Sequence, residues 1–183
     1  MLWATYNVGA TKPEHYGDYF AWGEIEPKDV YEWSTYKWCN GTETSFTKYC
    51  TDDAYGKVDN KIVLEKADDV AYISFGENWR MPTFNEFKEL QDNCTWLWVT
   101  QNNVKGYRIK SKKNGKSIFL PAGGTIDSAP DYVGVSGLYW SSSLYSLSLE
   151  YNEYAGTLIF EANDIMIDYT RRAYGRLVRP VYP

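Results

Sequence analysis

The residues able to perform nucleophilic, acid–base or metal chemistry are few, and they form no recognisable catalytic motif. His15 is the single histidine among 183 residues and lies in a Pro-Glu-His-Tyr segment. Ser-His-Asp chemistry and a multi-histidine zinc site are therefore poorly supported. The cysteines Cys39, Cys50 and Cys94 are an odd number, so at least one thiol stays free or pairs between chains; a Cys39 to Cys50 bridge is allowed but not required.

Carboxylates are the remaining reactive groups. Asp164 and Asp168, or Glu150 and Glu153, lie close in sequence and could serve as the acid and base of glycoside hydrolysis if their separation were suitable. Such pairs are also common on any acidic, solvated surface. Asp127 to Asp131, with Asp59 or Asn60, offers oxygen ligands for a structural calcium ion. We favour a solvated surface and predict no catalytic residue, no metal and no cofactor.

The overall charge limits the classes of partner. The formal net charge is −5, and the Lys and Arg residues are scattered, so the basic footprint of a duplex-binding protein is missing and we predict no nucleic-acid partner. The chain contains no apolar run of about 18 residues, which predicts no membrane insertion. It also begins without an export signal. The oligomeric state stays open, since an aromatic-rich patch could equally close a homo-oligomer.

Aromatic residues are the strongest departure in composition, at 17% of the chain with 17 Tyr and 8 Trp. Residues 144–154, 161–164 and 166–174 mix Tyr with Ser, Asn, Asp and Leu without a steady period, as antibody contact loops do. We interpret this region as a displayed binding surface, although the same tyrosines could simply cover a sheet. The candidate ligand-binding residues are Tyr145, Ser146, Leu147, Ser148, Tyr151, Tyr154, Asp164, Asp168, Tyr169 and Tyr174.

Two short helices are expected to support this surface. Apolar residues at helical spacing predict the first over 64–75, with Asp68 and Asp69 facing water and Gly76 as its end. Thr83 and Glu86 form a capping box, which predicts that the second helix begins directly after Thr83.

Short strands are expected on either side of the helices. Residues 25–60 carry few regular signals and predict a long irregular segment pinned by aromatic residues. Asn114-Gly115 predicts a hairpin with a type I′ turn. Leu158 and Phe160 should face inward, with Thr157, Ile159 and Glu161 on the other face. The predicted strands are 2–8, 17–24, 96–99, 106–112, 116–120, 138–142, 157–160, 165–168 and 177–181. Together these elements predict one α+β domain over residues 1–183 with small, mostly antiparallel sheets.

Five ordered segments resemble the major paralogous domain of Fibrobacter and Bacteroides proteins. They are Leu2-Trp-Ala-Thr-Tyr-Asn-Val-Gly-Ala10, Gly17-Asp-Tyr-Phe-Ala-Trp-Gly-Glu24, Trp79-Arg-Met-Pro-Thr83 with Glu86-Phe87, Gly137-Leu-Tyr-Trp-Ser-Ser-Ser143 and Val178-Arg-Pro-Val181. The resemblance spans nearly the full length and implies a C-type lectin fold of the formylglycine-generating-enzyme type. That enzyme uses cysteines near its C-terminal end, whereas no cysteine follows Cys94 here, so its activity is not carried over.

A subset of that family consists of the variable proteins of diversity-generating retroelements, in which mutation of template adenines rewrites a C-terminal cassette. The resemblance places such a cassette at residues 136–183. Asn template codons of the AAC or AAT type can yield every candidate residue given above, whereas Glu150, Glu153, Glu161 and Met166 need another codon. Buried Trp140, Leu158, Phe160 and Val178 would hold the backbone while neighbouring side chains vary.

The sequence therefore predicts a non-enzymatic protein that binds a protein or glycan ligand on a cell surface, in an extracellular, cell-surface or phage-virion location. The alternatives are a fixed-specificity bacterial surface lectin and a carbohydrate-active or cysteine-modifying enzyme on the same fold. An enzyme would have a concave pocket with paired acids or a reactive thiol. A binding protein would instead tolerate several substitutions within residues 144–174.

Overall fold

A computed structural model describes residues 1–145 and 151–183. Helix α1 spans Val70–Phe75 and helix α2 spans Phe84–Asn93, and single 3-10 turns lie at Trp33–Thr35 and Lys66–Asp68. The strands are β1 (Leu2–Trp3), β2 (Cys94–Gln101), β3 (Val104–Ser111), β4 (Ser117–Pro121), β5 (Thr125–Ile126), β6 (Pro130–Asp131), β7 (Ser136–Leu144), β8 (Tyr154–Glu161), β9 (Asp164–Arg171) and β10 (Val181–Tyr182).

The strands form four small antiparallel sheets, as the predicted α+β class requires. Two sheets have three strands each, in the orders β2-β3-β4 and β7-β8-β9, and the pairs β1-β10 and β5-β6 complete the set within the described residues. The β8–β9 hairpin is in register from Tyr154 opposite Arg171 to Glu161 opposite Asp164. This long hairpin carries most of the candidate binding residues that the structure describes. None of the helices in the described ranges has the length and apolar character needed to cross a membrane.

The sequence segments that carry the family resemblance lie against one another in the core. The indole of Trp22 donates to the carbonyl of Ser141, and that of Trp140 donates to the carbonyl of Phe20, both at 2.8 Å. The backbone N–H of Val8 donates to the carbonyl of Val178 at 3.0 Å. Buried indole N–H groups need such partners, so these bonds fix how distant parts of the chain meet.

The predicted scaffold positions are confirmed as core. Trp140, Leu158, Phe160 and Val178 are all 1% exposed or less. Thr157 lies on the other face of β8, as predicted, but that face is covered as well, because Thr157 is fully buried and its hydroxyl lies 2.8 Å from that of Thr170 on β9. A short side chain with a hydrogen-bond partner can be buried at little cost.

The second helix is confirmed, and the first is shorter than predicted. Thr83 Oγ1 accepts from the Glu86 N–H, and the Glu86 carboxylate accepts from the Thr83 N–H, which is the reciprocal capping box. Helix α1 begins only at Val70, because the Asp69 carboxylate accepts from the N–H groups of Ala71 and Tyr72 and restarts the helix there. Gly76 ends α1 as predicted.

Asp68 and Asp69 are buried, at 3% and 5% exposure, so their predicted exposure is wrong. Asp68 accepts from the Tyr49 hydroxyl at 2.6 Å and pairs with the Lys48 ammonium at 2.5 Å. Asp69 accepts from the Met81 N–H as well as capping α1. Buried carboxylates are tolerated when hydrogen bonds and a counter-charge replace water.

The two N-terminal strands were predicted too long. Residues 2–8 pair only at Leu2 and Trp3, and residues 17–24 contribute a single bridge, Phe20 to Arg176. Gly9, Gly17 and Gly23 adopt positive φ, which interrupts a regular ladder. The predicted strand 177–181 likewise pairs as a sheet only at its end, in β10.

Two further sequence predictions are confirmed in outline. The β3–β4 hairpin forms, but its turn covers residues 112–116 and only Gly115 has a positive φ, so the turn is not type I′. Residues 25–60 are irregular apart from the turn at Trp33–Thr35, and Tyr31, Tyr36, Phe46 and Tyr49 hold them in the core.

The Arg80–Glu86 ion pair should make stability sensitive to acid. Burial raises the pKa of Glu86, but hydrogen bonds from both Arg80 guanidinium nitrogens, at 2.7 and 2.6 Å, outweigh this and lower it overall. A carboxyl whose folded pKa is depressed stabilises the fold above its unfolded pKa of about 4.3 and loses that contribution as the pH falls. Glu86→Gln, which still caps the helix, is expected to cost about 1–2 kcal/mol at neutral pH.

Urea unfolding from pH 7 to pH 3 checks this expectation. The difference between parent and Glu86→Gln should shrink as the pH falls, since the parent loses the charge that the variant already lacks. Glu89→Gln, at an exposed position of the same helix, is the matched control and should track the parent. A Glu86→Gln deficit that stays constant with pH would contradict this role.

Candidate functional site

The candidate site begins where β7 ends and β8 starts. The Tyr145 N–H donates to the carbonyl of Tyr154 at 3.0 Å, and the Tyr154 N–H donates to that of Tyr151. Asn152, which is 1% exposed, accepts from the N–H of Thr51 at 2.7 Å through its side-chain oxygen. The segment that bears these tyrosines is therefore held to residue Thr51 by the buried side-chain amide of Asn152.

Five of the predicted tyrosines come together here. The ring centroids of Tyr145 lie 5.5 Å from Tyr151 and 4.4 Å from Tyr169, and those of Tyr151 and Tyr154 lie 6.0 Å apart. All three pairs are edge-to-face, a favoured aromatic geometry. Together with Tyr174 and Arg171, described next, these residues form what we call the tyrosine surface.

Arg171 joins the remaining tyrosine to the others. Interaction with the side chains of Tyr174 and Tyr154 raises the pKa of its guanidinium. Arg171 is exposed, so its charge faces solvent beside these two tyrosines. An arginine among tyrosines is typical of contact surfaces.

The five tyrosines are not equivalent. Tyr151 is 45% exposed, whereas Tyr169 stacks on Phe84 of α2 with the centroids 4.5 Å apart and the rings nearly parallel. Tyr169 pairs across the hairpin with Gly156, where a Cβ atom would lie 2.7 Å from the Phe84 ring. The glycine thus leaves room for Phe84, and Tyr169 partly covers the sheet as well as facing outward. Burial accordingly raises the pKa of its hydroxyl.

The two predicted aspartates do not belong to the tyrosine surface. Asp164 lies opposite Glu161 at the far end of the β8–β9 hairpin. Asp168 is exposed on the face of β9 opposite to that of Tyr169, since alternate strand residues point to opposite faces. Four strand residues place their Cα atoms about 13 Å apart. Glycosidase acid pairs lie about 5–9.5 Å apart, so these two carboxylates do not form such a pair.

The predicted residues Ser146, Leu147 and Ser148, together with Glu150, lie outside the described residues. Sequence reasoning missed Phe84, Arg171 and Lys88, whose ammonium lies 4.7 Å from the Phe84 ring centroid. Arg171 could have been found, because it shares the strand face of Tyr169 at a spacing of two. Phe84 carries no such signal, since its contact depends on how α2 docks.

Beneath the tyrosine surface lies a buried cation. The guanidinium carbon of Arg172 sits 3.5 Å from the centroid of the Phe46 ring, and its Nη1 donates to the carbonyl of Tyr49 at 2.8 Å. Burial lowers the pKa of this guanidinium and raises that of the neighbouring Glu153 carboxyl. Cation–π contact with Phe46 partly replaces the lost hydration. The irregular segment 25–60 therefore packs beneath the C-terminal region and supports it.

The other chemistry-bearing residues lie apart from this surface. Cys39, Cys50 and Cys94 are free thiols, and burial raises the pKa of Cys50 and Cys94. His15 is exposed beside Thr11. Across residues 1–145 and 151–183 no three His, Cys, Asp or Glu side chains are grouped as a metal site would require. Asp127 instead pairs with Arg176 at 3.0 Å.

A cavity of about 370 Å³ lies between the N-terminus, α2 and the β3–β4 hairpin, lined by residues that include Trp3, Leu90 and Ile109. None of the tyrosines of the tyrosine surface lines it, so that surface is an open contact face and not the wall of this cavity. No protein-family model, no curated protein and no solved structure matches this chain.

Proposed function

We propose that this chain is a non-enzymatic binding protein whose tyrosine surface contacts a protein or glycan ligand. The observation that carries the proposal is the convergence of Tyr145, Tyr151, Tyr154, Tyr169 and Tyr174 around exposed Arg171. Tyr and Arg dominate the energetics of contact surfaces, because they combine large area with polar groups. Asn152 and Arg172 beneath are buried, and each is hydrogen-bonded to the segment 49–51, so the surface is presented on a fixed support.

The same arrangement supports the finer proposal of a C-type lectin-like fold carrying a diversified cassette. The five segments that resemble the family contribute buried side chains and the hydrogen bonds that join the N- and C-terminal parts of the core. The tyrosines emerge beside them at exposed or half-buried positions, where substitution costs less folding free energy than in the core. We therefore propose a variable protein of a diversity-generating retroelement, with a receptor-binding or adhesin role outside the cell or on a virion.

A fixed-specificity surface lectin is the nearest alternative on the same geometry. It differs in one respect, which is that every copy of its gene would encode the same residues on the tyrosine surface. The sequences of independent isolates separate the two, since diversification would change Tyr151 and Tyr174 while leaving Trp140 and Phe160 intact. The ligand-binding role itself is common to both.

The binding role predicts that Tyr151→Ala with Tyr174→Ala weakens ligand binding by at least about tenfold, since each anchor tyrosine contributes about 1–2 kcal/mol. Arrays of glycans and of bacterial surface proteins, probed with the parent, identify the ligand, and titration of parent and variant then measures the change. Tyr132→Ala is the matched control, because Tyr132 is 54% exposed and lies in the β6 to β7 connection. Equal weakening by the control, or unchanged binding by the double variant, would refute the proposal.

A further inference from the structure

The charge of this protein is distributed much less evenly than its total suggests. Residues 93–126 contain six cationic side chains and no acidic one, whereas the rest of the chain holds the other 13 cationic and all 24 acidic residues, a net charge of −11. The interpretation that Lys and Arg are scattered was therefore incomplete. The six, which we call the basic face, are Lys105, Arg108, Lys110, Lys112, Lys113 and Lys116.

The structure gathers the basic face on one exposed hairpin. Arg108 and Lys110 share the outer face of β3, Lys105 lies near the start of β3 on its other side, and the three others lie in the turn that leads to β4. All six are exposed, and among the described residues none of them forms a salt bridge. Lys112 donates only to a backbone carbonyl, that of Asp92. Six unpaired cations within one hairpin produce a local positive potential on an otherwise acidic molecule.

The neighbouring strand adds exposed apolar area. Strand β2 contains no charged residue, and its Leu97, which pairs with Arg108, is 61% exposed on the same face. Trp96 and Trp98 point the other way and pack on Tyr107. Strands β2 and β3 have eight residues each and offer an exposed face of about 10 by 27 Å. Strand β4 has five residues, and its Phe119, opposite Arg108, is buried.

The basic face lies at the other end of the β8–β9 hairpin from the tyrosine surface. Tyr107 of β3 donates to the carbonyl of Glu161 at 3.1 Å, and its ring lies 5.3 Å from that of Phe160. Tyr154, at the opposite end of β8, belongs to the tyrosine surface. Tyr154 and Glu161 are seven positions apart on β8, so their Cα atoms lie about 23 Å apart. A partner on the basic face would leave the tyrosine surface free.

We propose that the basic face docks on a membrane surface rich in anionic phospholipid headgroups. Arg108 and Lys110 beside exposed Leu97, with the lysines of the adjoining turn, match an array of phosphates over hydrocarbon, where each basic residue contributes about 1 kcal/mol, or about fivefold in affinity. A single-stranded nucleic acid is less well matched, because Trp96 and Trp98 point inward and offer no exposed ring for base stacking. This inference does not depend on the function of the tyrosine surface.

Co-sedimentation with vesicles tests the proposal. The probes are vesicles of phosphatidylcholine alone and vesicles in which about a third of the lipid is phosphatidylglycerol, at about 0.05 M and about 0.5 M NaCl. The parent is expected to bind only the anionic vesicles and to be released by the higher salt. Arg108→Glu with Lys110→Glu should weaken binding by at least about 25-fold, since two of the six cations are removed and reversed.

Lys57→Glu with Lys66→Glu is the matched control, because both residues are exposed away from the β3–β4 hairpin and the net charge changes by the same amount. It should bind nearly as the parent does, and equal weakening would overturn the proposal. If the first variant fails to fold, Lys112→Gln with Lys113→Gln and Lys116→Gln replaces it. Failure of the parent to bind anionic vesicles also overturns the proposal, and binding of duplex DNA without vesicle binding would assign the face to nucleic acid instead.

Discussion

Trp140→Ala is expected to lower the free energy of unfolding by about 3–5 kcal/mol, whereas Tyr151→Ala should change it by less than about 1 kcal/mol. Trp140 is completely buried on β7, and its indole donates to the Phe20 carbonyl at 2.8 Å. Alanine would leave a large cavity and remove one of the two hydrogen bonds that the Phe20 carbonyl accepts, the other coming from the Arg176 N–H. Tyr151 is 45% exposed and contacts other tyrosine rings, so its removal mainly exposes surface that is already partly wet.

Urea or thermal unfolding measures both effects. For a domain of this size the larger loss corresponds to a drop in melting temperature of roughly 10 °C or more. Tyr169→Ala should fall between the two, because Tyr169 stacks on Phe84. Comparing the three variants distinguishes residues that support the fold from residues displayed on the surface, and it requires no knowledge of the ligand. If Tyr151→Ala proved as damaging as Trp140→Ala, the tyrosines would be core residues and the binding proposal would lose its main support.

Arg179→Met is expected to cost about 3–5 kcal/mol, although no carboxylate pairs with Arg179 among the described residues. Arg179 is fully buried, and its guanidinium donates to Asn7 Oδ1 at 2.7 Å and to the carbonyls of Ala4 and Phe119 at 3.0 Å each. Burial lowers its pKa to about 10, so it stays charged at neutral pH. Methionine fills the space of the stem but leaves three buried acceptors unpaired.

The matched control is Arg108→Met, which removes a cation from the exposed side of β3 and should change the free energy of unfolding by less than about 0.5 kcal/mol. Arg179→Lys should recover only part of the loss, because an ammonium cannot reproduce the planar fork that reaches three acceptors. Urea unfolding measures all three variants. A loss of less than about 1 kcal/mol for Arg179→Met would mean that this hydrogen-bonded cation does not hold the termini to β4.

These two residues explain how the ends of the chain support the binding surface. Arg179 joins the C-terminal segment to Ala4, Asn7 and Phe119, and Trp140 joins β7 to the Phe20 segment. Both lie in segments that carry the family resemblance. Because these contacts are buried and saturated, the adjoining surface can change without loss of the fold.

Local rules predicted the elements whose stabilising contacts are close in sequence. The capping box of Thr83 and Glu86 involves residues three apart, so the start of α2 was correct. The alternation of Leu158 and Phe160 likewise placed the core face of β8. The same reasoning failed at residues 2–8 and 17–24, because their backbone partners lie more than a hundred residues away in the C-terminal segment.

The burial of polar side chains could not be predicted for the same reason. Asp68 was expected in water, yet Lys48 and Tyr49 from a distant loop surround it. The clustering of cations in residues 105–116 was visible in the sequence, but the register of β3 was needed to show that Arg108 and Lys110 share an exposed face with Leu97. Composition gives the amount of charge, whereas only pairing shows which charges remain free.

The sequence by itself determined the antiparallel α+β class, the position of α2, the buried Trp140, Leu158, Phe160 and Val178, and the abundance of tyrosine after residue 144. Only the tertiary structure decided which tyrosines meet. Tyr145, Tyr151, Tyr154, Tyr169 and Tyr174 converge because the β8–β9 register brings Tyr154 opposite Arg171, and because Gly156 leaves room for Phe84 beside Tyr169. The same register places Asp164 and Asp168 away from the tyrosine surface. Periodicity identifies the face of a strand, but the contacts between strands depend on pairing and docking across long sequence separations.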